Sequence, residues 1–379
     1  MAMTRNLSRV LFRLHSWFGL VTGVFLLLLG LSGSILVFME ELDPIIYRHS
    51  LTVKPTGAPL PIDSLYRIIT AEYPNLDGIA WVNPEATPEQ SYHFRLYMND
   101  TRLISYDLGA ININQYTGQI LRKGRSDDLE VGWIEWIFQF HFSFHLGMPG
   151  AALTAIFGLT MLVSILTGWV VYRKFIWKVL TFKVKINRKN WRTISSDVHR
   201  IVGVWSLALN VIVFFTGFWM NLFAFEKKTW DNEVVPTPTN TLAKVSLQNL
   251  YQQALQKAPN FTPNYVYLPT QPHRKFNVRG YYNDENRLFS SRNAIVFDAY
   301  TGQFVGITRY ADLSTWEKIE ATFHPLHVGN FGGIFVKILY VILGLTPGVL
   351  SVTGFLLWWR RNRKKTNVHK QTNQNTFAQ

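Results

Sequence analysis

The stretch LHSWFGLVTGVFLLLLGLSGSILVF, residues 14–38, decides the fold. From Trp17 to Met39 it carries no charged residue, and about 20 apolar residues suffice for a helix to cross a hydrocarbon core of roughly 30 Å. The run is too long for the apolar region of a signal peptide and no small-residue cleavage site follows, so it reads as an uncleaved anchor. Three further runs have the same character: Gly150–Tyr172, Ile201–Phe225 and Gly332–Trp359.

Composition agrees. Of 379 residues 48% are apolar and only 16% charged, against roughly 25% charged in soluble domains. The absence of cysteine excludes disulfides, zinc–thiolate sites, iron–sulfur clusters, thiol nucleophiles and a covalent c-type haem. A net charge of +14 invites a nucleic-acid reading until it is located. Residues 1–13, 173–193 and 360–379 hold 17 of the 38 basic residues and no acid, leaving 21 bases against 24 acids elsewhere. Basic segments beside apolar runs are the positive-inside pattern, which puts both termini and the central loop in the cytoplasm. No nucleic-acid partner is expected.

The expected order is therefore a cytoplasmic N-terminus (1–16), a span (17–39), an outside segment (40–149), a span (150–172), a basic cytoplasmic loop (173–200), a span (201–225), a second outside segment (226–331), a span (332–359) and a cytoplasmic tail (360–379). The polar tail after Lys365 reads as disordered. The halves also repeat. LHSWFG at Leu14 matches VHRIVG at Val198, YPNL at Tyr73 matches APNF at Ala258, NQYTGQI at Asn114 matches DAYTGQF at Asp298, and LTGWVVYRK at Leu166 matches VTGFLLWWRR at Val352. Offsets of 184 to 186 imply an internal duplication in which each half is span, outside domain, span. Amphipathic helices are expected at Ile62–Glu72 and Ser246–Lys257, followed by strands such as Tyr92–Met98, Ile111–Gln115, Lys275–Tyr282 and Ala294–Asp298. The YTGQ tetrapeptides read as tight turns. The fold class is an α+β membrane protein: four transmembrane helices from an internal duplication, with two small extracytoplasmic α+β domains.

The spans hold no Asp or Glu, and Lys337 is their only base, which argues against an ion-coupled carrier. Histidine is what marks their ends. His15 and His199 occupy equivalent positions at the cytoplasmic side, while His141, His145, His324 and His327 precede the second and fourth spans. A lone histidine there is most simply an interfacial residue, but facing pairs on a helical bundle are how imidazole ligands for a cofactor are supplied. Non-covalent b-haem held by two histidines accounts for both levels. Gly19, Gly23, Gly203 and Gly217 would let a flat ring approach, and Trp133, Trp136 and Trp316 could shield it. The competing reading is a zinc or copper site at the outer edge, where His141 and His145 are spaced to share a helix face and break at Met148-Pro149-Gly150. No phosphate loop, dinucleotide fingerprint or hydrolase elbow is present.

LHSWFGLVTGVFLLLLGLSGSILVF, HFSFHLGMPG at His141, DVHRIVGVW at Asp197, PLHVGNFGG at Pro325 and the TG-W-R endings of the second and fourth spans resemble the PepSY-associated transmembrane proteins, or iron-regulated membrane proteins, which include FoxB-type siderophore reductases. The resemblance covers about residues 9–363. It implies a bacterial inner-membrane protein with two PepSY-like periplasmic domains, and two b-haems through which a ferric siderophore is reduced from Fe(III) to Fe(II). A membrane or cytoplasmic donor would supply the electrons. Carried over by motif, the haem ligands are His15 and His199 inside and His141 and His327 outside. Repeat register instead opposes His141 to His324 and His145 to His327, so His145 and His324 stand as alternative ligands. A non-enzymatic periplasmic sensor or interaction module is the alternative from another class.

Overall fold

A computed structural model describes residues 5–98, 108–226, 239–289 and 292–376. The chain forms two compact units. One comprises Met1–Val37, Leu153–Leu222 and Lys337–Gln379, the other Phe38–Ala152 and Phe223–Val336.

The first unit is helical. Arg5–Leu36, Gly147–Tyr172 and Gly333–Asn362 are each long and apolar enough to cross a membrane. The expected third span is not one straight helix: Trp191–Trp205 and Leu207–Met220 are bent by 66°. The unit thus has three candidate spans among the described residues, or four if the bent pair counts as one. Polar side chains occupy the bend. Ser206 Oγ donates to the Val202 carbonyl at 2.8 Å, while the Asn210 amide donates to Ser206 Oγ at 3.0 Å and to Thr346 Oγ1 at 3.3 Å. Hydroxyls bonded back onto their own helix favour such bends. In apolar surroundings the helices pack through small residues. A Cβ on Gly30 would lie 2.7 Å from the Gly344 carbonyl oxygen, and one on Gly158 3.1 Å from that of Phe214. The last helix, Thr346–Thr376, continues through the tail expected to be disordered; its Lys and Gln residues are good helix formers.

The second unit corrects the expectation of two separate domains. Its strands are β1 (Gly78–Trp81), β2 (Tyr92–Tyr97), β3 (Leu108–Ile113), β4 (Ile120–Arg125), β5 (Phe261–Leu268), β6 (Phe276–Tyr282), β7 (Ala294–Phe297) and β8 (Phe304–Thr308). They form one antiparallel sheet of order β4-β3-β2-β1-β5-β6-β7-β8. Ile79 pairs with Leu268 and Trp81 with Val266 at the centre. Two isolated four-stranded sheets would leave the β1 and β5 edges open, and joining them removes both.

One face of the sheet carries the main core. Leu65, Ile69, Leu247 and Leu250, from helices Ile62–Glu72 and Leu247–Lys257, pack on Ile79, Phe94, Ile111, Val278, Ile295 and Phe297. Each such side chain contributes about 1.5–3 kcal/mol when fully buried. The two helix starts cap one another: Asp63 Oδ1 accepts from Leu247 N at 2.8 Å, and Gln248 Oε1 accepts from Ile62 N at 3.1 Å. Both YTGQ turns close alike, with Gly118 N donating to Asn114 O and Gly302 N to Asp298 O, each at 2.8 Å. Their glycines have φ of 76° and 77°, a region costly for any residue with a Cβ.

Alternation along β2 sends Phe94 and Leu96 into that core and His93, Arg95 and Tyr97 to the opposite face. There Arg122 makes a two-pronged ion pair with Asp43 (2.9 and 2.7 Å) and donates to Asn112 Oδ1 at 3.0 Å. Glu135, from helix Trp133–Ser143, is buried beside His93.

Candidate functional site: two pairs of facing histidines

In the helical unit the rings of His15 and His199 lie 6.1 Å apart between centroids, with planes at 83°. Each is oriented through Nδ1. His15 Nδ1 is 2.9 Å from the Ser164 carbonyl oxygen and 3.2 Å from Ser164 Oγ. A carbonyl only accepts, so Nδ1 carries the proton and Nε2 keeps its lone pair. His199 Nδ1 lies 2.9 Å from Thr353 Oγ1, whose own hydrogen goes to the Val349 carbonyl at 2.7 Å. That hydroxyl accepts from the imidazole, which again leaves Nε2 as the basic atom. Ligating histidines are commonly fixed in this way.

Glycines make room for both rings. A Cβ on Gly168 would stand 2.9 Å from His15 Cε1, and one on Gly354 3.5 Å from His199 Cε1. These belong to the repeated TG of LTGW and VTGF. The glycines expected to serve lie elsewhere: Gly23 faces Ser351 and Gly203 faces Leu350. Gly19, one turn from His15, has open space where its Cβ would be.

The second pair, in the sheet-bearing unit, is His141 with His327, centroids 6.2 Å apart and planes at 50°. His141 is in the last turn of helix Trp133–Ser143, and His327 is in helix Phe323–Val328, closed by Gly329 at φ 74°. The expectation that His141 and His145 share a helix face is corrected. The helix ends at Ser143, and Phe144 and His145 take left-handed backbone angles, φ 51° and 58°. The break thus comes before Met148-Pro149-Gly150. A Cβ on Gly150 would sit 1.7 Å from the Ser143 carbonyl oxygen, so only glycine fits where the next helix folds back. His145 packs on Trp136 at 4.4 Å, and both ring nitrogens are buried without hydrogen-bond partners. Burial pushes its pKa down, as it does for His324, where the charge of Arg95 adds to the effect. Repeat register therefore does not predict the ring contact; His141 meets His327.

Two imidazoles that shared one metal ion, at about 2 Å per bond, would stand with ring centroids roughly 6 Å apart. Both pairs fit that spacing, and in the first pair both Nε2 atoms have the protonation state such a bond needs.

Sequence reasoning missed Ser164, Thr353, Gly168 and Gly354, although the repeated TG carried the signal. It also missed the polar layer under the sheet. His93 is held down to about 3, first by burial and then by the charge of Arg122. Its Nε2 lies 3.7 Å from Glu135 Oε1.

Among curated proteins no match to the chain is found. A family model described as the PepSY-associated TM region matches residues 12–361. That match runs through both units, and with the long apolar helices it shows a multi-pass membrane protein that belongs to the PepSY-associated transmembrane family.

Proposed function

We propose that the protein is an inner-membrane, b-haem electron-transfer protein that reduces ferric siderophores on the periplasmic side and so releases Fe(II). The observation that carries this reading is the pair of histidine pairs, His15 with His199 and His141 with His327, at centroid spacings of 6.1 and 6.2 Å. The four histidines would hold two haems non-covalently. When bound, haem supplies a one-electron couple whose potential the protein sets through ligation and burial. Ser164 and Thr353 keep the first pair in the ligating tautomer, and Gly168 and Gly354 let the rings stand close to neighbouring helices. Ferric iron bound by oxygen donors is held far more weakly once reduced, because Fe(II) carries less charge, so one electron suffices for release. The basic flanks support a cytoplasmic position for both termini and the 173–200 loop; the sheet-bearing unit would then be outside, where a polar chelate can reach it.

The test is the visible spectrum of the purified protein, oxidised and dithionite-reduced, followed by anaerobic reoxidation with a ferric siderophore. A reduced b-type spectrum that decays on adding the chelate is expected, with the decay lost in His141→Ala or His327→Ala. Colourless protein with zinc bound at His141 and His327 would instead make it a metal-binding membrane protein. Colourless protein with dispensable histidines would favour the sensor or interaction module.

A further inference from the structure

Beneath the sheet, Arg95 is enclosed by protein but not sealed, since part of the residue stays accessible. Its guanidinium lies 5.1 Å from the centroid of the Phe138 ring, and among the described residues no hydrogen bond or ion pair engages it. Glu135 is near enough to act on it electrostatically, yet that carboxylate is directed to His93, with Oε1 at 3.7 Å, and its Oε2 has no partner. The hydroxyls of Tyr97 and Tyr265 are bonded to one another at 2.5 Å. A guanidinium lined by protein, still accessible and with no acceptor of its own, marks the place where an acceptor would be most stabilising.

Position identifies that acceptor. Phe138, under the guanidinium, precedes His141 by three residues on helix Trp133–Ser143, and His324, close enough to feel the charge of Arg95, precedes His327 by three on helix Phe323–Val328. Residues three apart are neighbours on one helix face, and one turn advances about 5.4 Å. Phe138 and His324 therefore stand one turn before His141 and His327 on the two helices that present the pair, and Arg95 lies against the first of them. We infer that Arg95, with His324 within reach of its charge, forms a carboxylate-binding recess that takes a propionate of the haem proposed at His141 and His327. This rests on the haem reading above and adds a recognition residue to it.

The test uses the full chain carrying His15→Ala and His199→Ala, so that only the second pair titrates. Haem-free protein is titrated with haem b and with haem dimethyl ester, whose propionates cannot ionise, and affinity is read from the absorption band. A charge-assisted bond of this kind corresponds to a preference of about 10- to 100-fold for the free acid. Arg95→Gln should bind both forms about equally, and Arg95→Lys, a point charge without the planar fork, should keep part of the preference. Equal binding of both forms by the parent, or full preference retained in both variants, would overturn the recess. If the parent binds neither form, the haem reading itself fails at this pair, and the recess with it.

Discussion

Replacing Thr353 with Val tests whether the first pair is built for ligation, because it keeps shape and removes one hydroxyl. That hydroxyl accepts from His199 Nδ1 at 2.9 Å and donates to the Val349 carbonyl at 2.7 Å. Without it the Nδ1 proton loses this acceptor, and the tautomer that frees Nε2 is no longer enforced. Removing such an orienting contact typically costs 10- to 100-fold in metal affinity, about 1.4–2.7 kcal/mol. The Leu350 carbonyl lies beside the same ring and can take over part of the role, so a loss of about tenfold is expected. His15 provides the contrast. Its acceptor is the Ser164 backbone carbonyl at 2.9 Å, with the hydroxyl farther off at 3.2 Å; Ser164→Ala leaves the carbonyl in place and should cost less than about threefold. Haem affinity is measured by titrating haem-stripped full-chain protein in a His141→Ala/His327→Ala background, with Thr353→Ser as the rescue. Thr353→Val binding within twofold of its parent, or Ser164→Ala falling as far, would refute the reasoning.

Four further outcomes are expected. Asp43→Ala leaves Arg122 buried with only Asn112 and should cost about 3–5 kcal/mol, while Asp43→Leu with Arg122→Met should recover most of it; equal thermal unfolding of Asp43→Ala and wild type would contradict this. His93, held near 3 when folded against about 6.5 when unfolded, makes the unfolded chain bind its proton first. Its contribution to stability is complete above about pH 6.5 and lost as pH falls toward 3, so His93→Gln should flatten the acid limb of the unfolding curve. Gly168→Val, whose Cβ would stand 2.9 Å from His15 Cε1, should lose haem at the first pair, whereas Gly354→Ala, at 3.5 Å, should keep it; the reduced spectrum distinguishes them. Reporter fusions after Lys183 should read as cytoplasmic and after Gly57 as external, and a cytoplasmic signal at Gly57 would reverse the topology.

Much of the site was legible locally. Span length, flanking charge and histidine position are properties of short segments, and so are the helices and turns they separate. Ile62–Glu72 forms as its apolar spacing indicates, and Lys275–Tyr282 differs from β6 by one residue. Strand β1 was not legible, because GIAW is buried at all four positions and such a run lacks the alternation that marks a strand.

What the sequence by itself determined was which segments are long and apolar, which carry the positive charge, and that histidines stand at their ends. Tertiary structure decided three things. It joined the two segments that separate the long apolar helices into one sheet, because the open edges of β1 and β5 satisfy each other. It paired His141 with His327, because the left-handed residues after Ser143 carry His145 off the helix face that repeat register assumed. And it covered Arg95, which lies on the polar side of an alternating strand, with helix Trp133–Ser143: alternation fixes which side chains share a face, but only the packing of another layer decides whether that face meets water or protein.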